Sequence, residues 1–490
     1  MISSMYKKHP LYNLSHDPAV LTNYPLPPQY GIMIKTGDEK MQLKYHMVTI
    51  EDLVPQEHFL RKLEHVLDMS FVQEETAHLY SRKYGRPPID PVVMVKYLLV
   101  GFLYGIPSER QIEQRIQTDV ALRWYLGLDL FDRVPDHSTI SQLRRRKPSF
   151  RKVFRRLFEE VVRQCVEKGL VSGRLVVTDS THMKANAAVS SEELVEIKEA
   201  PGVYWERLDA YEEEGLEKLK EKTGKRRKKR VKQIKKTIRR SHKRVSHTDP
   251  DAGHMKRPGK PEGPQYLVHE ATDSDNGFIV DVVVTGGDSS DSAPYLDQIE
   301  RINKNVVPIQ AAAADSAYNV PMFYRALKDL GIDFYVPPRK NNDCTKAEFK
   351  HKDFAYEKET DSYLCPAGKR LELHGLNRTV SGLNWSYKAD RKDCDACPFR
   401  QKCLNMHAPA RIIEHSYFYD LAWDGKGHVD EPARREALKR RLIWCEGTFS
   451  AQKRSHNLRQ IFRRGLEAAE DHGLLSAAAL NLKRLIKCLG

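Results

Sequence analysis

Apolar residues recur at intervals of three and four between about Thr49 and Lys147: Leu60, Leu63, Val66 and Leu67, then Val95, Leu98, Leu99 and Phe102. That spacing predicts amphipathic helices. Pro87, Pro88, Pro91 and Pro107 stand at plausible helix starts, where a missing N–H costs nothing. The segment PDHSTISQLRRR, Pro135 to Arg146, predicts one more helix, capped by Asp136 or Ser138 and closed by Arg144, Arg145 and Arg146. Such a region suits either a small helical DNA-binding domain or a plain helical adaptor. Ahead of it, residues 1–45 carry Pro10, Pro18, Pro25, Pro27 and Pro28 with little periodicity, and read as a loosely ordered arm.

After a helix over Phe150–Lys168 the pattern changes to short apolar runs. Leu175–Thr178 leads into Asp179, and a run from Val306 to Ala314 leads into Asp315. Between them, YLVHEATDSDNGFIVDVVVTGGD from Tyr266 predicts two strands around a turn, with Asn276-Gly277 supplying the positive φ of a tight hairpin. Helices are expected over Ser292–Asn303 and Pro321–Leu330, and a short strand over Ile332–Val336. The order strand, hairpin, helix, strand, helix, strand describes a mixed α/β layer with helices on its faces. A long helix from about Pro432 to Lys453 carries Leu438, Leu442, Cys445 and Phe449 as its apolar stripe. A final amphipathic helix carries Leu474, Ala478, Leu482 and Leu485.

Charge adds a partner class. With 81 Lys+Arg against 66 Asp+Glu the net charge is +15, which favours a polyanion, nucleic acid before membrane. Lys225–Arg244 alone holds thirteen basic residues and no acidic one. Such a block is usually solvated, yet its position suits contact with phosphates. The most apolar run, Val92–Tyr104, contains Lys96 and is too short to span a bilayer. The first ten residues lack the apolar core of a signal peptide. Eight cysteines in 490 residues make no disulfide scaffold, so an intracellular, cytoplasmic protein with no membrane association is expected.

Asp179, Asp315 and Glu446 are the candidate chemistry. Magnesium prefers oxygen ligands and keeps several waters, so one or two carboxylates per ion suffice. Two such ions roughly 3.5–4 Å apart can serve the attacking and departing oxygens of a phosphodiester. Each aspartate follows an apolar run and precedes small or turn-forming residues, Ser180-Thr181 and Ser316-Ala317. Glu446 falls 40° from Leu442 at about 100° per residue, on the margin of the expected buried face. Lys453 shares its side and could bind a phosphate, and Gly447 would let DNA or a strand approach closely. Taken singly, each acid could equally be an ordinary turn or surface residue.

Five of the eight cysteines lie between Cys344 and Cys403. Cys394, Cys397 and Cys403, with Cys365 upstream, offer four thiolates suited to a structural zinc. Reduced cysteines packed as small apolar groups are the alternative. Beyond the third acid, Arg454, Arg459, Arg463 and Arg464 surround His456-Asn457. They suit phosphate clamping, or else form a solvated loop.

Several fragments together resemble the DDE-type transposases of bacterial insertion sequences, from about Met47 to Leu489. They are GRPPIDPVVMVKYLLVGFLYGIPSERQIEQ, WYLGL, PDHSTISQLRRR, LVVTDSTHMKANA, SHTDPDA, ADSAYN and CEGTFSAQKRSHNLRQIFRRGL. The resemblance implies a ribonuclease-H-like mixed-sheet core at 149–340 and 411–490, with a basic insertion at 190–262. It also implies a helical DNA-binding domain at 46–148, and the cysteine-bearing insertion falls at 341–410. It assigns Asp179, Asp315 and Glu446 as ligands of two Mg2+ or Mn2+ ions. Lys453 matches a basic residue often found on the same helix.

The implied reaction is hydrolysis at the element's end followed by attack of the freed 3′-hydroxyl on target DNA. The partners are terminal inverted repeats and target DNA, with a homodimer or larger assembly on DNA near the nucleoid. Related families place Tyr and Arg seven and four residues before the glutamate. Here those positions are Lys439 and Leu442, so roles tied to those side chains do not transfer. A nuclease of the same fold without strand transfer, or a domesticated non-catalytic DNA-binding protein, are the alternatives.

Overall fold

The computed structural model describes residues 47–79, 89–146, 150–198, 204–224, 240–338, 347–379, 382–405, 407–421 and 432–490. The expected arm at 1–45, most of the basic block, Cys344 and the side chains of Arg145 and Arg146 lie outside the described residues.

Among the described residues, the N-terminal periodicity becomes a single helical turn, Ile50–Leu53, and seven longer helices: α1 (Phe59–Val66), α2 (Ser70–Thr76), α3 (Pro91–Leu103), α4 (Glu109–Thr118), α5 (Val120–Tyr125), α6 (His137–Arg146) and α7 (Arg151–Glu167). Their starts follow from local chemistry. Asp90 accepts from the Val92 N–H at 2.8 Å and Pro91 opens α3. Ser108 caps α4, Asp119 caps α5, and the Asp136 carboxylate accepts from the Ser138 N–H at 2.8 Å at the head of α6. These caps satisfy N–H groups that the helices leave open. Leu60, Leu63, Leu98, Leu99, Phe102 and Phe154 build a shared core.

The main sheet forms from β1 (Val176–Lys184), β2 (Glu192–Lys198), β3 (Arg240–Ser246), β4 (Gly253–Met255), β5 (Gly263–Asp273), β6 (Ile279–Gly286), β7 (Ala311–Ala313) and β8 (Asp333–Tyr335). Its order is β2-β3-β4-β5-β1-β7-β8, with β6 paired to β5. β1 runs antiparallel to β5 and parallel to β7, and β7 runs parallel to β8. Parallel neighbours need crossovers, supplied by α9 (Tyr295–Asn305) and α10 (Pro321–Asp329), after α8 (Trp205–Thr223). This is the ribonuclease-H-like mixed sheet with its helical N-terminal region. The Asn276-Gly277 turn forms as expected, Gly277 having φ +77°.

Within the expected basic insertion, Glu192–Lys198 and Arg240–Ser246 pair with each other and lengthen the sheet instead of standing apart from it. Five antiparallel strands, β9 (Ala355–Glu357), β10 (Ser362–Leu364), β11 (Arg370–Arg378), β12 (Leu383–Ala389) and β13 (Ile412–Ser416), make a second sheet in the cysteine-bearing region. Tyr363, Leu371, Trp385, Tyr387 and Ile413 fill its core together with Leu219 of α8.

Two long helices close the chain: α11 (Pro432–Ser455) and α12 (Leu466–Leu489). The second is not amphipathic. Leu474, Ala477, Ala478 and Leu485 face the sheet's core, while Leu475, Ala479, Leu482 and Ile486 join the core of the N-terminal helices. A helix buried on both sides has no polar face to show. Gly473 lets it approach closely, since a Cβ there would lie 3.3 Å from Val282 and Val284 of β6.

Candidate active site

β1 and β7 hold the two aspartates side by side. Val176 pairs with Ala312 and Val177 with Ala313, and Asp315 comes two residues after the last pair, near enough for its charge to act on Asp179. The pairing with β7 stops at Ala313, and beyond it Asp315 turns to cap the helical turn Ser316–Tyr318, its Oδ1 accepting from the Ala317 N–H at 2.8 Å. Asp179 does not end its own strand, as the sequence suggested. β1 continues to Lys184, and Asp179 is flanked on its other side by β5. β7 ends short of it, so Asp179 has no β7 residue paired with it.

Alternation along β1 puts Leu175, Val177 and Asp179 on one face, where Leu175 and Val177 pack with Ala313, Ala437 and Cys445. α11 therefore covers this face. From it, Arg441 Nη2 donates to Asp179 Oδ2 at 2.6 Å. Burial pushes the Asp179 carboxyl above the usual range, and the charge of Asp315 pushes the same way, against Arg441 and the Ser180 N–H. The two aspartates therefore feel each other, as a shared cation site requires.

Glu446 is placed differently from expectation. The residues α11 buries are Arg434, Ala437, Cys445, Thr448, Phe449 and Gln452. Leu442, taken from the sequence as part of the apolar stripe, is 50% exposed. Glu446 lies about 100° round from the buried Cys445 and is exposed, as Leu442 is. The reason is that α11 meets the sheet through Arg441 and Gln452, which reach the carboxylates of the strands, and through Ala437 and Cys445, which pack on their apolar residues. Glu446 is thus on the covering helix, one turn beyond Arg441, with its side chain toward solvent.

Sequence reasoning missed Glu270. It stands directly opposite Asp179 in the β1–β5 register and is buried. Burial pushes its carboxyl up to about 8, and Gln452 Nε2 donates to its two oxygens at 2.8 and 2.9 Å. The signal was there: an ionisable residue inside the apolar strand LVHEAT. Also missed were Lys260 and Arg257, which join Lys453 near His182. Burial, with Lys453, Lys260 and Arg257 acting the same way, pushes the His182 imidazole down to about 4. Lys453 is itself held below the ordinary lysine range by burial, with Lys260 and Arg459 adding to the effect. Arg257 is engaged by Asp291 at 2.9 and 3.0 Å.

The arginines expected at phosphates divide. Arg454, Arg459 and Arg464 are exposed. Arg463 pairs with Asp471 at 3.2 Å. Arg144 does not face a ligand: it is buried and paired with Glu109 of α4. His456 and Asn457 are turned inward too. His456 Nδ1 bonds the Phe102 carbonyl, and Asn457 Nδ2 donates to the carbonyls of Gly101 and Ile106.

Cys365, Cys394, Cys397 and Cys403 gather at one end of the second sheet. Burial raises the Cys403 thiol, and Cys394, Cys365 and Cys397 add to it while Arg411 opposes. The Lys369 N–H donates to Cys365 Sγ at 3.3 Å. Neither this set nor the three acids is drawn tight. Among the described residues, the one group whose ligand atoms all lie within 4.8 Å is Glu113, Asp136 and His137. That group caps α6, since Glu113 accepts from both the backbone and the ring of His137.

Comparison with known proteins bears on this geometry. A family described as Transposase domain (DUF772) matches residues 48–146. Two families described as Transposase DDE domain match 237–381 and 364–486, the first containing Asp315 and the second Glu446. No curated protein matches the chain. A solved structure, a piggyBac transposase synaptic complex with hairpin DNA, aligns over 88% of this chain and 75% of that one at 10% identity and a TM-score of 0.35, too slight a likeness to rest anything on. On the three family matches, which together take in the N-terminal helices, the β7 aspartate and the helix of the glutamate, the chain belongs to the DDE-type insertion-sequence transposases.

Proposed function

We propose that this transposase cleaves DNA at the ends of its element with Mg2+ or Mn2+ and joins the freed 3′-hydroxyl to target DNA, with Asp179, Asp315 and Glu446 as the metal ligands. The family implies divalent-metal chemistry. The observation carrying the assignment is the nearness of Asp179, on β1, to Asp315, which follows the end of the parallel neighbour β7 and acts electrostatically on it. The donor set fits: hard carboxylate oxygens suit hard cations, and Asp315 acts electrostatically on Asp179, which burial already pushes above the usual carboxyl range. When bound, the ions supply an activated attacking oxygen and a stabilised departing one.

The chain's own residues bind and orient. Asp179 is fixed by the strand pairing, and Asp315 by its own capping bond to Ala317. Glu446, exposed on the helix that covers them, would have to turn toward the aspartates to join. Lys453 and Lys260 crowd positive charge near His182, where a phosphate backbone would be held. The exposed Arg454, Arg459 and Arg464 extend that surface. The partners proposed are the element's terminal inverted repeats and target DNA, with two copies pairing the two ends, and nucleoid DNA as the setting. Among the described residues no helix is long and apolar enough to cross a membrane.

The test is a strand-transfer assay with labelled element-end DNA, intact and pre-cut, in Mg2+. Asp179→Asn, Asp315→Asn and Glu446→Gln should each lower both steps by about a hundredfold or more. Unchanged cleavage by the two aspartate variants would remove the assignment. Cleavage without any joined product from the pre-cut end would leave a nuclease only.

A further inference from the structure

Arg441 and a divalent cation would want the same oxygen. The Arg441 guanidinium donates to Asp179 Oδ2, and the two side chains are 17% and 19% exposed, so the pair is poorly screened. The charge of Asp315 acts on the same guanidinium. Yet the arginine is not clamped. An arginine locked to a carboxylate commonly uses two parallel N–H donors. Here only Nη2 is engaged with Asp179, and the buried Nε has no hydrogen-bond partner. An orphaned buried donor costs free energy; it belongs to a contact that can be exchanged.

We propose that Arg441 is the internal counter-cation of the Asp179–Asp315 pair, and that it yields Asp179 Oδ2 when a divalent ion enters. This rests on the carboxylate assignment above. Two carboxylates that act on each other, as Asp179 and Asp315 do, repel unless a cation lies by them. A guanidinium and a divalent ion at one oxygen repel each other in turn, so occupancy by one weakens the other. Arg441 and Glu446 ride the same helix, little more than one turn apart. While Arg441 neutralises Asp179, Glu446 has no cation to draw it inward and faces solvent. Exchange of the arginine for an ion would supply that attraction. Arg441 is then a charge-balancing residue whose removal eases metal entry.

The experiment is Mn2+ binding to the full-length protein without DNA at pH 8, by titration calorimetry and by loss of the free-ion paramagnetic resonance signal. Arg441→Met should bind Mn2+ about tenfold more tightly than the parent, on the scale of one pKa unit for a close charge. Arg441→Lys should fall between, since its single ammonium gives way more readily. Damage to the fold would weaken binding, the opposite direction. If Arg441→Met does not fold, Arg441→Lys decides. Affinity equal to or below the parent's in the folded variants would overturn the proposal. Asp179→Asn, alone and with Arg441→Met, separates the two readings. Mn2+ binding that survives Asp179→Asn unchanged refutes the carboxylate assignment itself, whatever Arg441 does.

Discussion

Asp179 and Glu270 are direct cross-strand partners, Asp179 on β1 and Glu270 on β5. Directly opposed side chains share one face of a sheet, so the candidate metal ligand and a fully enclosed carboxyl sit together under α11. Like charges so placed destabilise. Burial resolves the conflict by keeping Glu270 protonated, its carboxyl pushed up to about 8.

A pH signature is the expected consequence. The native protein holds a proton on Glu270 that the unfolded chain releases above the ordinary carboxyl range. The contribution is therefore fully present below about pH 4.5, is lost as pH rises toward about 8, and is flat above. Each pH unit inside that window costs about 1.4 kcal/mol. Glu270→Gln keeps the shape and removes the titration, so its stability should gain on the parent's steadily between pH 5 and 8. Urea unfolding of both proteins at three pH values checks this. Parallel curves would show that Glu270 does not carry the shift. Glu270→Leu leaves the buried Gln452 amide without its acceptor and should cost about 1–3 kcal/mol.

How much of this was legible in the sequence depends on which residues met short-range rules. Helix starts at Pro91 and His137, and the Asn276-Gly277 turn, follow from caps and φ preferences confined to a few residues. Asp179 and Asp315 were visible because each ends an apolar run, although nothing local told that β7 is short and β1 long. The face of α11 was misread because hydrophobicity alone was used to orient it. Arg441 and Gln452 turn inward to meet Asp179 and Glu270, and Leu442 is displaced outward. Such a choice is made by the partner strand and cannot be read from the helix. Arg144 and the His456-Asn457 pair fail for the same reason: their partners, Glu109 and the α3 carbonyls, are remote in sequence.

Asn457 gives the second expectation. It adopts φ +60°, and its side-chain amide donates to the Gly101 and Ile106 carbonyls, both at 3.0 Å. The end of α11 is thereby stitched to the end of α3. Asn457→Ala loses both bonds and keeps an unfavourable backbone, for about 2–4 kcal/mol. Asn457→Gly loses the bonds but accepts the left-handed conformation, so it should be the milder of the two. Denaturant midpoints rank them. An alanine variant as stable as the glycine variant would mean that the backbone conformation relaxes on substitution.

The cysteine end of the second sheet supplies the third. Four thiols near one another with no disulfide among them suit one zinc ion. Their sulfurs stand apart from a closed ligand shell, so the ion would have to draw the four together. Binding should accordingly stiffen the two short helical turns, Arg391–Asp395 and Arg400–Cys403, more than the β strands behind them. Purified protein should carry one equivalent of zinc by elemental analysis. At a free zinc concentration a hundred times the dissociation constant, the ion would add about 2.7 kcal/mol to the stability of the second sheet. Because the ligands bind as thiolates, affinity should fall as pH is lowered. Chelation should open the cysteine turns to protease while the main sheet, held by α12, stays resistant. Cys397→Ser should reproduce the chelated pattern. Protein that carries well under one equivalent, and whose cleavage pattern ignores both chelator and Cys397→Ser, would leave these cysteines as packed thiols with no metal to hold.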